Sequence, residues 1–156
     1  MSEDKLKELS IEFFILFSRA ECSLKAAGFF SGNAKVSADW QKFSLTDEVQ
    51  DILSYKEGKS LTLIIKEFLT SPPRKQVVVN SKLEWSDIAP VGVCEAHMII
   101  LYINRVRNNL FHGGKFNGHW FEPERSELLL GHSLIILKAM LKALPSVNEA
   151  YTGSIG

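Results

Sequence analysis

Apolar residues recur at three- and four-residue steps along the start of the chain, at Leu6, Leu9, Phe13, Phe17, Leu24 and Ala27, with Phe14 beside Phe13. That is the period of a helix with one face turned to a core, and it predicts a long amphipathic helix over 4–30. Gly28 is the candidate stop, and Gly32-Asn33 closes a turn. From 31 to 90 the pattern loses its regularity. Asp39-Trp40 reads as the opening of a short helical turn. Thr46-Asp47-Glu48 reads as a helix start, with Val49, Ile52 and Leu53 as its apolar face. Lys56-Glu57-Gly58-Lys59 reads as a turn and 61–69 as a short helix that Pro72-Pro73 ends. Val77-Val78-Val79 reads as a brief extended piece, too short and isolated to imply a sheet.

Regular helical spacing returns over 90–112. Pro90 suits a first turn, Val91, Cys94, Met98, Leu101, Tyr102 and Val106 form an apolar stripe, and Gly113-Gly114 end it. Residues 115–121 read as a loop rich in aromatics. Pro123 opens a last long helix over 124–144. Glu122, Glu124 and Glu127 suit its positive end, and Lys138 and Lys142 its negative end. Pro145 ends it, and 147–156 reads as a flexible tail. The expected fold is all-α, an antiparallel helical bundle of three to four long helices with a short irregular insert. It is one domain over 1–146, with 31–90 as the insert.

Composition narrows the possible roles. The 156 residues are 46% hydrophobic and 23% charged, as in globular rather than disordered chains. Eighteen basic residues balance eighteen acidic ones. A chain that coats nucleic acid through bulk charge is thereby excluded, and any such role must rest on a local basic cluster. Cys22 and Cys94 each lie in an apolar helical stretch and read as two buried, reduced thiols. No spacing suggests a metal site, and no cofactor is expected. The charged start, Met1-Ser-Glu-Asp-Lys, lacks a signal peptide's apolar core, and no apolar run reaches the roughly 18 residues of a membrane span. The expected compartment is the cytoplasm, with no membrane partner.

The stretch richest in chemistry is Arg105-Val106-Arg107-Asn108-Asn109-Leu110-Phe111-His112-Gly113-Gly114-Lys115. Asn108 and His112, four apart, share a helix face. Arg107 and His112 point about 140° apart on an ideal helix. They converge only if the glycines let the last turn unwind and the long arginine reaches across. A polar Arg-Asn-Asn triplet interrupts an apolar helix, and such breaks in patterning mark functional sites. Spacing alone leaves a second reading open, in which His112 caps carbonyls at the helix end and the arginines are simply solvated.

Arg107-Asn108-Asn109-Leu110-Phe111-His112 resembles the signature of the HEPN superfamily, an arginine and a histidine four to six residues apart with a polar residue after the arginine. The stretch Phe17-Ser18-Arg19-Ala20-Glu21-Cys22-Ser23-Leu24-Lys25-Ala26-Ala27-Gly28, the Pro72-Pro73 pair and the Leu-rich final helix resemble small bacterial members. The resemblance implies a helical bundle, usually a homodimer, with two copies of the motif facing one cleft. It implies a metal-independent endoribonuclease of the toxin or defence-effector kind, with a cognate antitoxin as a further partner. Other members are non-catalytic nucleotide- or protein-binding modules, and that alternative stays open. The chemistry suits the residues: RNA carries its own nucleophile in the 2′-hydroxyl. His112 transfers protons near neutral pH, Arg107 stabilises the phosphate, and Asn108 positions, by orienting His112 or binding phosphate.

Arg105 and Lys115 are candidates to bind substrate as local cations. Glu21 is a candidate to hold His112 or Arg107, with a surface or interface ion pair as its other reading. His119 and Trp120 read mainly as loop packing, with base stacking as the other option. His97 and His132 read as structural or exposed, and Trp40 and Trp85 as core anchors.

Overall fold

The computed structural model describes residues 3–54, 60–112, 115–116, 119–120 and 123–153. The side chains of His112, Lys115, His119 and Trp120 lie outside that description. So do the Gly113-Gly114 stop, the turn at Lys56-Glu57-Gly58-Lys59, Glu122 and residues 154–156.

The chain is mostly helical. α1 spans Glu3–Ala26 and presents Leu6, Phe13, Leu16, Phe17, Ala20 and Leu24 to the core. It stops four residues before the predicted end at 30. Gly28 takes φ +95°, the Phe29 N–H donates to the Leu24 carbonyl at 2.8 Å, and the Gly28 N–H to the Lys25 carbonyl at 3.2 Å. This closure needs a left-handed residue, which glycine supplies without steric cost. Phe30–Ser31 (β1) and Ser37–Ala38 (β2) pair as a short ribbon before the next helix.

The segment over 31–90 is part of the core rather than an addition to it. α2 (Trp40–Ser44) begins where the Asp39 carboxylate accepts from the Lys42 N–H at 2.9 Å. α3 (Asp47–Leu53) begins where the Thr46 hydroxyl accepts from the Val49 N–H. Such caps satisfy backbone donors that the first turn leaves unpaired. With α4 (Ser60–Thr70) these helices bury Trp40, Phe43, Val49, Leu53, Ile65 and Phe68.

The three valines belong to a hairpin, not an isolated extended piece. β3 (Lys75–Val79) pairs antiparallel with β4 (Lys82–Ser86), Val77 opposite Glu84 and Val79 opposite Lys82. Asn80 and Ser81 both take positive φ, 51° and 62°. Two such residues make the turn whose twist matches a hairpin.

α5 (Glu95–His112) starts five residues later than the pattern suggests, because Gly92 at φ +72° breaks the chain direction. Val91, expected on the apolar stripe, is exposed. Lys115–Phe116 (β5) and His119–Trp120 (β6) pair within the aromatic loop. α6 (Pro123–Leu141) is the central core helix, with Ile136, Leu137 and Met140 fully buried, and it packs on α1, α4 and α5.

Residues 147–152 are not a loose tail. Pro145 opens a further helix, α7 (Pro145–Thr152), bent by 114° from α6. Proline's fixed φ and missing N–H suit the first turn of a helix as well as the end of one. α7 packs on α1, Val147 is fully buried, and the Arg19 guanidinium sits 4.5 Å from the Tyr151 ring centre. Among the described residues, no single helix is long and apolar enough to cross a membrane.

Candidate functional site

α5 places Leu101, Asn104, Arg105 and Asn108 at steps of three and four residues, hence on one face. Opposite that face runs β3. Between them lies an open groove of about 620 Å³. Its polar side chains are Lys75, Gln76, Asn104, Arg105, Asn108 and Asn109, all of them amides or cations. Leu101 and Pro90 supply its apolar surface, and no carboxylate among the described residues lines it.

The groove is held open by the way the chain leaves α4. Pro72 and Pro73 cannot donate backbone hydrogen bonds, and the carbonyls around them fall outside any ladder. Side chains from two helices meet these carbonyls in succession. Arg125 of α6 donates to the Pro72 carbonyl and, at 2.8 Å, to the Ser71 hydroxyl. Arg105 donates to the Pro73 carbonyl at 3.4 Å and to the Ile88 carbonyl at 2.7 Å, just past the end of β4. Asn109 donates to the Arg74 carbonyl at 2.7 Å. The Arg74 guanidinium in turn lies 3.2 Å from Asp87. Arg105, expected as a substrate cation, therefore serves first as a strap between α5 and the hairpin. Two of its five N–H donors are engaged on backbone.

Arg107 stands at the edge of this face. Its guanidinium donates to Asn108 Oδ1 at 3.0 Å and lies 4.9 Å from the Phe111 ring centre and 6.0 Å from that of Phe17. Among the described residues no carboxylate is within ion-pairing distance of it. His112 ends α5 one turn beyond Asn108, and its side chain, like that of Lys115, is outside the described residues.

Among the described residues Glu21 pairs with Trp40 rather than Arg107, and the expected contact with His112 falls on a side chain outside that description. Its carboxylate accepts from Trp40 Nε1 at 3.1 Å. Trp40 packs 5.4 Å from the Phe17 ring that faces Arg107. Glu21 thus anchors the aromatic wall behind Arg107 rather than the arginine itself.

The remaining candidates are dispersed. His132 is buried on α6, with Nε2 3.2 Å from the Glu67 carboxylate. His97 is half-buried on α5; burial holds its pKa below the usual value, with the charge of Asp39 opposing. Cys94 is half-buried, and Cys22 is exposed rather than buried as expected; both are free thiols. Among the described residues no three His, Cys, Asp or Glu side chains gather where one metal ion could reach them all.

The sequence pattern missed Arg125, Gln76 and Lys75. The first clamps a carbonyl, which leaves no signature in sequence. The other two lie on a hairpin read as an isolated strand. Comparison of the chain with protein-family models, curated proteins and solved structures yields no match.

Proposed function

We propose that the protein binds and cleaves RNA, as a metal-independent endoribonuclease of the HEPN kind acting as a toxin or defence effector. The observation that carries this reading is the pairing of Arg107 with Asn108 at the rim of a groove lined by amides and cations. A guanidinium with no carboxylate among the described residues to neutralise it, half-exposed and braced by two aromatic rings, is prepared for a phosphate. Local charge of this kind is what a chain of zero net charge needs to engage RNA.

The chemistry uses the substrate's own 2′-hydroxyl. Its oxygen bonds to phosphorus as the bond to the 5′-oxygen breaks, leaving a 2′,3′-cyclic phosphate and a 5′-hydroxyl. His112 takes the 2′-hydroxyl proton, and a protonated His112 supplies one to the leaving oxygen. Arg107 holds the phosphate oxygens as charge builds on them, and Asn108 fixes Arg107.

A second copy of the chain fits this scheme, since one histidine then accepts and the other donates. Ile11, Phe14 and Ile15 of α1 are exposed, and Phe14 meets the exposed Phe111 edge-on at 5.7 Å, next to Arg107. An apolar strip of this kind supports a homodimer that brings two motifs together. The test is RNA cleavage with a chelator present, comparing wild type with R107A and H112A. RNA binding without turnover in the wild type would instead favour a non-catalytic binding module.

A further inference from the structure

We infer that the groove between β3 and α5 is a subsite for one unpaired ribonucleotide next to the phosphate held by Arg107. This rests on the RNA-directed reading above and extends it to a specific surface. The groove's 620 Å³ falls within the roughly 300–1,000 Å³ typical of sites for small organic ligands.

The hydrogen bonds already made in the groove settle what its amides have left to offer. Asn104 donates to the Ile100 carbonyl at 3.1 Å and Asn109 to that of Arg74, so each keeps its amide oxygen as an acceptor and one N–H as a donor. Asn108 accepts from Arg107 through its oxygen, so it keeps its NH₂ as a donor. Donor and acceptor capacity therefore both remain on these three amides within two turns of α5. Gln76, across the groove, adds an amide with both capacities.

Amides that keep both donors and acceptors suit the Watson–Crick edge of a base, which only an unpaired nucleotide exposes. Leu101 and Pro90 give the base an apolar surface to lie against. Lys75, exposed at the start of β3, and the unused donors of Arg105 meet the flanking phosphate. The strap bonds from Arg105, Asn109 and Arg125 fix both walls, so little ordering is required on binding.

The experiment is fluorescence anisotropy with a labelled single-stranded RNA of about 12 nucleotides and its duplex, on full-length protein carrying H112A so that the probe persists. The variants are Gln76→Ala with Lys75→Ala, and separately Lys75→Glu, an exposed position whose change leaves the fold intact. Single strand is expected to bind more tightly than duplex, and each variant to weaken single-strand binding by about tenfold or more. Duplex affinity is expected to change far less in the double variant. Equal affinity of wild type and both variants for the single strand, or a preference for duplex, would overturn the inference. Cleavage by wild type that is unchanged in both variants would also overturn it while leaving the nuclease reading standing. Groove-dependent binding in a protein that cleaves nothing would sustain the subsite and remove the nuclease.

Discussion

The Arg107 guanidinium donates to the side-chain oxygen of its neighbour Asn108 at 3.0 Å, which turns a flexible cation into a directed one at the edge of the α5 groove. Neighbours in a helix point about 100° apart, so this bond draws Arg107 toward the face that Asn108 shares with Asn104 and Leu101. Asn108→Ala frees the arginine and is expected to lower RNA cleavage by about tenfold, the scale of one lost orienting hydrogen bond. Asn108→Asp keeps the contact but makes it an ion pair. The aspartate then competes with phosphate for the guanidinium, and KM rises. Steady-state kinetics on both variants check this, with their thermal stability near wild type because position 108 is exposed.

The clamp on the Pro72–Arg74 carbonyls predicts a stability effect far in sequence from the hairpin. Arg125→Ala removes the charged donor to the Pro72 carbonyl and is expected to cost about 1.5–3 kcal/mol. Hydrogen exchange should quicken across 75–86 while α1 stays protected. Denaturant unfolding and exchange mass spectrometry read the two effects.

α7 predicts that the end of the chain bears load. Val147 is fully buried against the bundle. Val147→Ala is expected to destabilise by about 1–3 kcal/mol through lost burial and the cavity left behind. A loose tail would give no change in urea midpoint.

His97 predicts a pH dependence of stability. Burial lowers its folded pKa below the ordinary 6.5, and Asp39 only partly offsets this. Below pH 6.5 the unfolded chain then binds more protons than the folded one, so folding weakens as pH falls from 6.5 through the folded value and is unaffected above it. His97→Gln removes the titration. The melting temperature of the variant should fall less than that of wild type between pH 7 and 5.

Much of the helical frame is legible because its signals are local. Asp39 and Thr46 announce helix starts through side chains that reach only three residues ahead. Gly28 announces a stop, although the predicted helix runs past it to 30, since periodicity does not register the left-handed turn that ends the ladder. Pro145 is ambiguous by nature, serving as an end and a beginning at once. The β3–β4 hairpin is hidden because Asn80-Ser81 lacks the glycine that usually marks its turn, even though Lys82-Leu83-Glu84-Trp85-Ser86 alternates polar and apolar.

The site was only half visible for a related reason. Arg107, Asn108 and the cationic character of α5 follow from the residue string. The partners of Arg105 and Asn109 are backbone carbonyls 32 and 35 residues away, and any residue type offers a carbonyl. Glu21 finds Trp40 through tertiary packing that no spacing encodes.

The most direct measurement is the rate at which purified protein cuts a labelled single-stranded RNA in excess chelator, compared among wild type, Arg107→Ala and His112→Ala. The predicted result is wild-type cleavage to a 2′,3′-cyclic phosphate end, with each variant slower by about 10²-fold or more, as for loss of a general acid–base or a transition-state charge clamp. Folded variants that cut as fast as wild type would contradict the account.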